Sequence, residues 1–129
     1  MGGLDKIKEP EGGSRILVKH NNLEVPDNPI ICYIEGDGVG PEVVSVGRAV
    51  ITRAIEKAYQ GKKKIAWLKL YAGSEATDIY SSPLPDDTIE AIRSYRICIK
   101  GPLTTPVGGG YRSLNVAIRQ ILNLYACVR

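Results

Sequence analysis

The chain has few of the side chains that build nucleophilic and metal sites. Its 129 residues include one histidine, His20, and three cysteines. Cys32, Cys98 and Cys127 lie far apart, no two of them at the spacing of metal ligands, and an odd number cannot form a complete set of disulfides. These counts exclude a catalytic triad or a multi-histidine metal site built from this chain alone. Because each cysteine lies in an apolar run typical of a strand, we predict buried, unreactive thiols.

Long apolar segments are also missing. No uncharged apolar run approaches the ~20 residues of a membrane-spanning helix, and residues 1–13 lack the apolar stretch of a secretory signal peptide. We therefore predict a cytoplasmic protein with no membrane partner. The length fits one domain of ordinary size, and the 43% hydrophobic and 24% charged residues are typical of a globular chain.

Negative charge is absent from the last third of the chain. Residues 91–129 contain no Asp or Glu and carry six basic side chains, which are Arg93, Arg96, Lys100, Arg112, Arg119 and Arg129. Such a block indicates an anionic partner. Nucleic acid is the less favoured alternative, because the charges are spaced among apolar runs and glycines and only 6% of residues are aromatic. Scattered arginines better suit a small polycarboxylate or phosphate, which they bind bidentately.

The order of predicted elements indicates the α/β class. Buried strands are predicted for three short apolar runs, at residues 30–34, 65–71 and 97–99. Helices are predicted between and after them, over residues 41–59, 74–80, 86–94 and 113–122. Strands alternating with helices at these spacings imply parallel βαβ units.

The two ends of the chain differ in character. Residues 1–29 are polar and end in a proline-flanked segment, so we interpret them as an N-terminal arm, with 30–129 forming the α/β part. Residues 124–129 read as a further strand. Because the chain stops inside that run without a polar tail, we expect the sequence to be the first part of a longer protein.

A glycine-rich turn, residues 36–41, follows the first strand and precedes the first helix, where phosphate-binding loops occur. Its glycines do not have the G-x-G-x-x-G spacing of a dinucleotide fingerprint. Two interpretations stay open: a structural turn that shapes one wall of a cleft, or direct ligand contact through residues such as Gly36 and Asp37.

A second glycine-rich segment follows Lys100, at the end of the third predicted strand. Residues 101–110 are rich in turn formers, and such segments at the carboxyl end of a strand often bind ligands. Thr104 and Thr105 offer hydroxyls, and the glycines allow backbone N–H groups to approach a ligand. The alternative is a mobile connection.

The last predicted helix begins with a group suited to anions. Ser113 lies at its N-cap, and Asn115 and Arg119 share one face a turn apart. A hydroxyl, free N–H groups, the helix dipole and a guanidinium all favour negative charge. The alternative is an ordinary capping serine with a solvated polar face. Arg129, closing the final run, is expected at the same sheet edge as Lys100.

No catalytic group is apparent among these residues. Glu35 and Asp37 are the only acids expected near this sheet edge, and they do not form the adjacent carboxylate pair of a divalent-metal or acid–base site. The residues by themselves therefore predict an α/β domain with a cationic cleft for a small anion carrying several carboxylates.

These segments resemble the isocitrate and isopropylmalate dehydrogenases, which oxidise a 2-hydroxy acid and then remove its β-carboxylate. The resemblance covers nearly all of residues 24–129. The motifs that carry it are residues 25–29, 34–40, 71–73, 84–88, 100–110, 111–120 and 124–129. Ser113 and Asn115, together with the loop 101–108, look like the NADP-dependent isocitrate branch in its bacterial or archaeal form. The fold of that family is not the Rossmann fold.

The resemblance implies a substrate site. Ser113 and Asn115 would bind the γ-carboxylate of isocitrate, Arg119 and Arg129 the other carboxylates, and Lys100 would lie near both ligands. In some bacterial members of the family, phosphorylation of the serine matching Ser113 switches the enzyme off.

The resemblance also implies cofactors and an assembly. Thr104 and Thr105, with Gly36 and Asp37 of the turn, would line the nicotinamide side of NADP. Isocitrate would be converted to 2-oxoglutarate with Mg²⁺ or Mn²⁺, in a homodimer. The catalytic and metal-binding residues of the family come later than Arg129, so no metal ligand is assigned here. The alternatives are an isopropylmalate or homoisocitrate dehydrogenase, or a truncated module that binds polycarboxylates without catalysis.

Overall fold

The computed structural model describes residues 6–105 and 112–128. In chain order the elements are β1 (Leu17–Lys19), β2 (Asn22–Glu24), β3 (Ile30–Ile34), α1 (Gly40–Tyr59), β4 (Ala66–Lys69), α2 (Ser74–Tyr80), α3 (Asp86–Tyr95), β5 (Cys98–Lys100) and α4 (Leu114–Ile121). The three predicted core strands and all four predicted helices are present, with ends that differ from the prediction by at most two residues. The α/β class is confirmed.

The core is built on a three-stranded parallel sheet in the order β4-β3-β5. Cys32 of β3 pairs with Leu68 on one side and Cys98 on the other. The central strand is the most buried, as its nearly continuous apolar sequence predicts. Because all three strands are parallel, their carboxyl ends meet at one edge. This edge carries the loops at residues 35–39, 70–73 and 101–105.

Helix α1 begins at Gly40, and the next residue, Pro41, favours the first helical turn. The helix ends at Tyr59, and its C-cap residue Gln60 adopts the left-handed conformation. Only Gly40 and Val44 of its 20 residues are buried. Among the described residues no helix is both long and apolar enough to cross a membrane.

Helix α3 contributes much of the remaining core. Ile89, Ala91 and Tyr95 are buried in the same cluster as the sheet residues. Thr88 is a buried polar residue of α3. Its hydroxyl donates a hydrogen bond of 2.6 Å to the carbonyl of Tyr71, which compensates the cost of its burial.

Helix α4 also packs on this core. Ile118 of α4 and Leu103 of the loop after β5 both belong to the buried cluster. These buried side chains hold α4 beside β5, so that the start of the helix lies near the loop that follows the strand.

The segment interpreted as an arm contains elements that were not predicted. β1 and β2 form an antiparallel hairpin in which Lys19 pairs with Asn22. The two residues between them, His20 and Asn21, both have positive φ, as a two-residue hairpin turn requires. Ile16, immediately before β1, is buried.

The strand predicted for residues 124–129 is wrong over the part that the structure describes. Residues 124–128 form no strand, and Tyr125 and Val128 are almost fully exposed. An apolar run becomes a strand only when a neighbouring strand accepts its hydrogen bonds, and no described strand lies beside this one. The prediction that Cys127 is buried is wrong for the same reason, since Cys127 is exposed.

The other two cysteines differ from Cys127 in chemistry as well as in position. Burial raises the pKa of both the Cys32 and the Cys98 thiol to about 12. In the folded chain at pH 8 we expect iodoacetamide to alkylate Cys127 roughly 100-fold faster than Cys32 or Cys98, because the thiolate is the reactive form. Peptide mass spectrometry at timed quenches measures the three rates, with urea-unfolded chain as control. Comparable rates in the folded chain would contradict the burial of the two strand thiols.

Candidate functional site

Asp37 joins the three loops at the carboxyl edge of the sheet. One carboxylate oxygen accepts a hydrogen bond of 2.9 Å from the backbone N–H of Ser74, the first residue of α2. The other accepts a bond of 2.7 Å from the N–H of Thr104. The N–H of Asp37 in turn donates to the carbonyl of Pro102 at 2.7 Å. Asp37 therefore uses its carboxylate to position the loop that carries Thr104.

Glycine is required where two of these loops touch. Gly36 has a φ of 81°, and a Cβ built on it would overlap the carbonyl oxygen of Pro102. A Cβ on Gly101 would likewise overlap the carbonyl oxygen of Glu35. Since both side chains are absent, the turn after β3 and the loop after β5 pack backbone against backbone. This close packing gives the glycine-rich motifs a structural function.

The hydrogen bonds to Asp37 change its acidity. Burial by itself would raise the pKa of this carboxyl, but the N–H groups of Ser74 and Thr104 outweigh it, so the pKa lies below its ordinary value. A carboxyl with a lowered folded-state pKa stabilises the fold above its unfolded pKa of about 3.9. That contribution is lost as the pH falls through the folded-state pKa.

We therefore expect Asp37→Asn to lower the urea midpoint at pH 7, because the asparagine amide places an NH₂ group against a backbone N–H donor. The difference in urea midpoint between the variant and the parent chain should narrow as the pH falls below about 4, because the parent carboxylate then becomes protonated. Fluorescence of Trp67, the single tryptophan, reports unfolding. Asp78→Asn, at an exposed position of α2, is the matched control. A difference that stays constant over this pH range would disprove the linkage.

Glu35 is neutralised by a lysine that the sequence analysis did not identify. The Lys69 ammonium lies 2.8 Å from a carboxylate oxygen of Glu35 and 2.8 Å from one of Glu75. Burial would lower the pKa of Lys69, but its bonds to these two carboxylates raise it overall. The position of Lys69 at the carboxyl end of β4 was the available signal, because every parallel strand ends at the same edge.

Three of the six basic residues of the last third, Arg96, Lys100 and Arg119, line a cavity of about 450 Å³ between β5 and α4. Its polar lining consists of Arg96, Lys100, Asn115 and Arg119, and its apolar lining of Ile34, Ile92, Cys98, Ile118, Leu122 and Leu124. Among the residues that the structure describes, no acidic side chain lines it. The structure thus brings together Lys100, Asn115 and Arg119, which the sequence analysis placed in one anion site.

Asn115 connects the two cations. Its side-chain oxygen accepts a hydrogen bond of 2.8 Å from the Lys100 ammonium, and its backbone carbonyl accepts one of 3.2 Å from the Arg119 guanidinium. Its side-chain amide donates to the carbonyl of Leu103 at 3.2 Å. Loop, strand and helix are therefore joined at the mouth of the cavity through one amide.

The electrostatics of this cavity favour an anion. Partial burial lowers the pKa of Lys100, and the positive charge of Arg119 acts in the same direction. An anion that enters between them would relieve the repulsion and form charge-assisted hydrogen bonds. Arg96 adds a third positive charge that the sequence analysis did not assign. Arg96 is the C-cap residue of α3 and lies two residues before β5, and its place in the basic last third of the chain was the available signal.

The other predicted site residues that the structure describes are not among those lining this cavity. Ser113 is the N-cap residue of α4, but its side chain makes no capping hydrogen bond, and it is not among the residues that line the Lys100 cavity. Thr104 lines a second cavity of about 360 Å³ together with Asp37, Ser74 and Arg112. Thr105, the next residue in the chain, is half-buried. Arg129 and residues 106–111 lie outside the described residues, so their predicted contacts stay predictions.

A metal site is not assembled by the part of the chain that the structure describes. Within residues 6–105 and 112–128 there is no group of three or more His, Cys, Asp or Glu side chains that could hold an ion. The two acids nearest the cleft are already engaged, Asp37 by backbone N–H groups and Glu35 by Lys69. These residues do not fit a divalent cation.

A comparison with known proteins shows the family of this chain. Residues 30–129 match the family model described as isocitrate/isopropylmalate dehydrogenase. The chain belongs to this family. The resemblance deduced from the sequence motifs is thereby confirmed, and the match begins at the first residue of β3.

Two relatives and one solved structure show the extent of the similarity. The chain is 56% identical over 125 residues to isocitrate dehydrogenase (NADP) of Coxiella burnetii, covering 95% of this chain and 29% of that protein. It is 53% identical over 125 residues to the enzyme of the same name from Archaeoglobus fulgidus, covering 97% and 30%. The crystal structure of isocitrate dehydrogenase from Methylococcus capsulatus matches with a TM-score of 0.64 and 48% identity, over 75% of this chain and 26% of that one.

The family's fold is therefore present here in part. The chain spans less than a third of the length of these relatives, which agrees with the expectation of an N-terminal portion. The cavity between β5 and α4 lies inside the matched region, as do the three joined loops.

Proposed function

We propose that this chain supplies the N-terminal part of the substrate cleft of an NADP-dependent isocitrate dehydrogenase, which converts isocitrate to 2-oxoglutarate by oxidation and decarboxylation. The observation that carries the proposal is the acid-free cavity in which Lys100, Asn115 and Arg119 converge. It lies in a chain more than half identical to two proteins named isocitrate dehydrogenase (NADP).

The residues of the chain would act by binding and orienting the substrate. Lys100 and Arg119 would each donate charge-assisted hydrogen bonds to a carboxylate of isocitrate. Asn115 holds both of these side chains, so the two donors keep a fixed separation. Ser113 would bind the γ-carboxylate at the start of α4, where its hydroxyl is not used for capping and the helix dipole favours negative charge. Arg129 would complete this set.

NADP accepts the hydride when it is bound. Thr104 and Thr105 would lie along its nicotinamide side, and Asp37 fixes the backbone of Thr104 for that contact. Gly36 supports the same wall, because it lets the turn approach Pro102. The Mg²⁺ or Mn²⁺ ion of the proposal would take its ligands from residues other than those described here. A homodimer in the cytoplasm, acting in the tricarboxylic acid cycle with neither nucleic acid nor membrane as partner, completes the proposal.

The test uses a chimera in which residues 1–129 replace the matched N-terminal segment of the Coxiella burnetii relative. We expect isocitrate-dependent reduction of NADP in the presence of Mg²⁺, with kcat/KM within about tenfold of the unmodified relative. Isopropylmalate and homoisocitrate are assayed beside isocitrate. If the folded chimera prefers one of these two acids, that acid would replace isocitrate as the proposed substrate. A folded chimera that binds isocitrate without turnover would favour the non-catalytic module.

A further inference from the structure

Lys69 connects two segments that flank the cleft. It is the last residue of β4, and its ammonium lies 2.8 Å from a carboxylate oxygen of Glu35 and 2.8 Å from one of Glu75. Glu35 begins the turn after β3, and Glu75 is the second residue of α2. Because the two carboxylates share one cation, Lys69 joins this turn to the start of the helix.

This network is partly withdrawn from water. The side chains of Lys69 and Glu35 are 30% and 24% exposed, and that of Glu75 is 40% exposed. Ion pairs in such positions are screened less than pairs on an open surface. The Lys69 ammonium also lies over the ring of Tyr71, 5.5 Å from its centroid, within the range of a cation–π contact. Two carboxylates and an aromatic ring therefore hold this ammonium in place.

The two carboxylates would repel each other without the cation. One oxygen of each lies 2.8 Å from the same nitrogen, so these oxygens are no further apart than twice that distance. Two negative charges this close, and partly shielded from water, favour separation. Loss of the ammonium would therefore push the turn that begins at Glu35 away from the helix that carries Glu75.

Asp37 joins the same turn to the same helix a second time. Its carboxylate accepts hydrogen bonds from the N–H of Ser74, the first residue of α2, and from the N–H of Thr104. Asp37 lies two residues after Glu35, so a displacement of Glu35 would move the Asp37 carboxylate relative to both donors. The position of Thr104 thus depends on Glu35, and through Glu35 on Lys69.

We propose that Lys69 is a positioning residue for the nicotinamide side of the cleft. Its ammonium holds Glu35 beside α2, and this contact keeps Asp37 where its carboxylate accepts the N–H of Thr104. Lys69 itself touches neither substrate nor cofactor in this proposal. The inference rests on the proposed function for the contact of Thr104 with NADP.

The isocitrate side of the cleft provides an internal comparison. Lys100 and Arg119 are held by hydrogen bonds to Asn115. These bonds do not pass through Lys69 or its two acids. Loss of the Lys69 charge should therefore affect NADP and isocitrate unequally, whereas loss of a residue that only stabilises the fold would affect both.

The experiment introduces substitutions into the chimera described above. Lys69→Met removes the ammonium and keeps an unbranched side chain. Lys69→Arg keeps a cation that can bind two carboxylates. The double variant Lys69→Glu with Glu75→Lys exchanges the charges, so that one ammonium again lies between two carboxylates. Lys62→Met, at an exposed position before β4, is the matched control.

We expect Lys69→Met to raise the KM for NADP by at least tenfold, while kcat and the KM for isocitrate stay within threefold of the parent chimera. The Lys69→Arg, charge-exchanged and Lys62→Met variants should keep both KM values within threefold. Equal increases in the two KM values of Lys69→Met would overturn the proposal. A charge-exchanged variant that behaves like Lys69→Met would also overturn it.

A second measurement needs no activity and separates this proposal from the proposed function. Hydrogen exchange followed by mass spectrometry reports on the N–H groups of Ser74 and Thr104, which donate to Asp37. Exchange at both should be at least tenfold faster in Lys69→Met than in the parent chimera, and unchanged in Lys62→Met. Unchanged exchange in Lys69→Met would refute the positioning role even in an active chimera. Faster exchange in a chimera that does not reduce NADP would support the positioning role and refute the dehydrogenase.

Glu75→Gln provides the same test if Lys69→Met does not fold. This substitution removes the carboxylate on the helix side and leaves the pair of Lys69 with Glu35. We expect faster exchange at Ser74 and Thr104, and a KM for NADP about threefold higher than that of the parent chimera. Parent values for both quantities would overturn the proposal.

Discussion

Replacing Gly36 by alanine is expected to lower the free energy of unfolding by about 3 kcal/mol or more. The residue has a φ of 81°, where an L-residue is strained, and the added Cβ would overlap the carbonyl oxygen of Pro102. That oxygen accepts the hydrogen bond from the N–H of Asp37. The substitution therefore separates the two loops that form the wall of the candidate cleft.

Gly38→Ala is the matched control for this prediction. Gly38 also has a positive φ, of 59°, but no atom lies within 4 Å of the position of its Cβ. Its cost is therefore the left-handed conformation alone, about 1 kcal/mol. Urea unfolding followed by Trp67 fluorescence measures both variants, and equal midpoints for the two would show that the contact with Pro102 is unimportant.

Ser113→Asp is expected to weaken isocitrate binding while leaving the fold at least as stable. In the chimera we expect the KM for isocitrate to rise by about 100-fold or more, because a carboxylate placed beside the substrate's own carboxylate repels it. The same carboxylate favours the N-terminus of α4, where aspartate is a good N-cap residue and the dipole attracts negative charge. Stability and affinity should thus change in opposite directions.

Ser113→Asn separates charge from shape. Asparagine is an equally good N-cap residue and is neutral, so its effect on the KM should stay below about tenfold. Steady-state kinetics and thermal melting of the three proteins provide the comparison. If the asparagine variant loses as much affinity as the aspartate variant, charge is not the cause. If the aspartate variant keeps the parent KM, Ser113 does not contact the substrate.

The element order was predictable because it depends on local patterns. β3 reads as a continuous apolar run, and α1 has a proline at its start and helical spacing throughout, so both were located from the sequence to within one residue. The hairpin of β1 and β2 was missed, because its strands are three residues long and lie in a polar segment. Residues 124–128 show the opposite error, since their apolar sequence favours a strand but no described strand pairs with them.

The sequence predicted which residues form the site, but not the hydrogen bonds and ion pairs of the acidic residues near it. Lys100, Asn115 and Arg119 could be grouped from strand direction and helical spacing, and they line one cavity. The hydrogen bonds from two backbone N–H groups to Asp37 could not be foreseen, because their donors, Ser74 and Thr104, lie 37 and 67 positions further along the chain. The pairing of Glu35 with Lys69 was missed for the same reason.

The amino-acid sequence by itself determined the α/β class, the family and the basic, acid-free character of the last third, because these follow from composition and from short motifs. Only the tertiary structure decided which charges are used inside the chain and which remain for a ligand. Asp37 and Glu35 are satisfied by partners from distant parts of the chain, whereas Lys100 and Arg119 line a cavity to which no described acidic side chain contributes. It also showed that Val43, Val46 and Val50 of α1 stay exposed. The physical reason is that electrostatic satisfaction and burial are set by neighbours in space, and those neighbours are distant in sequence.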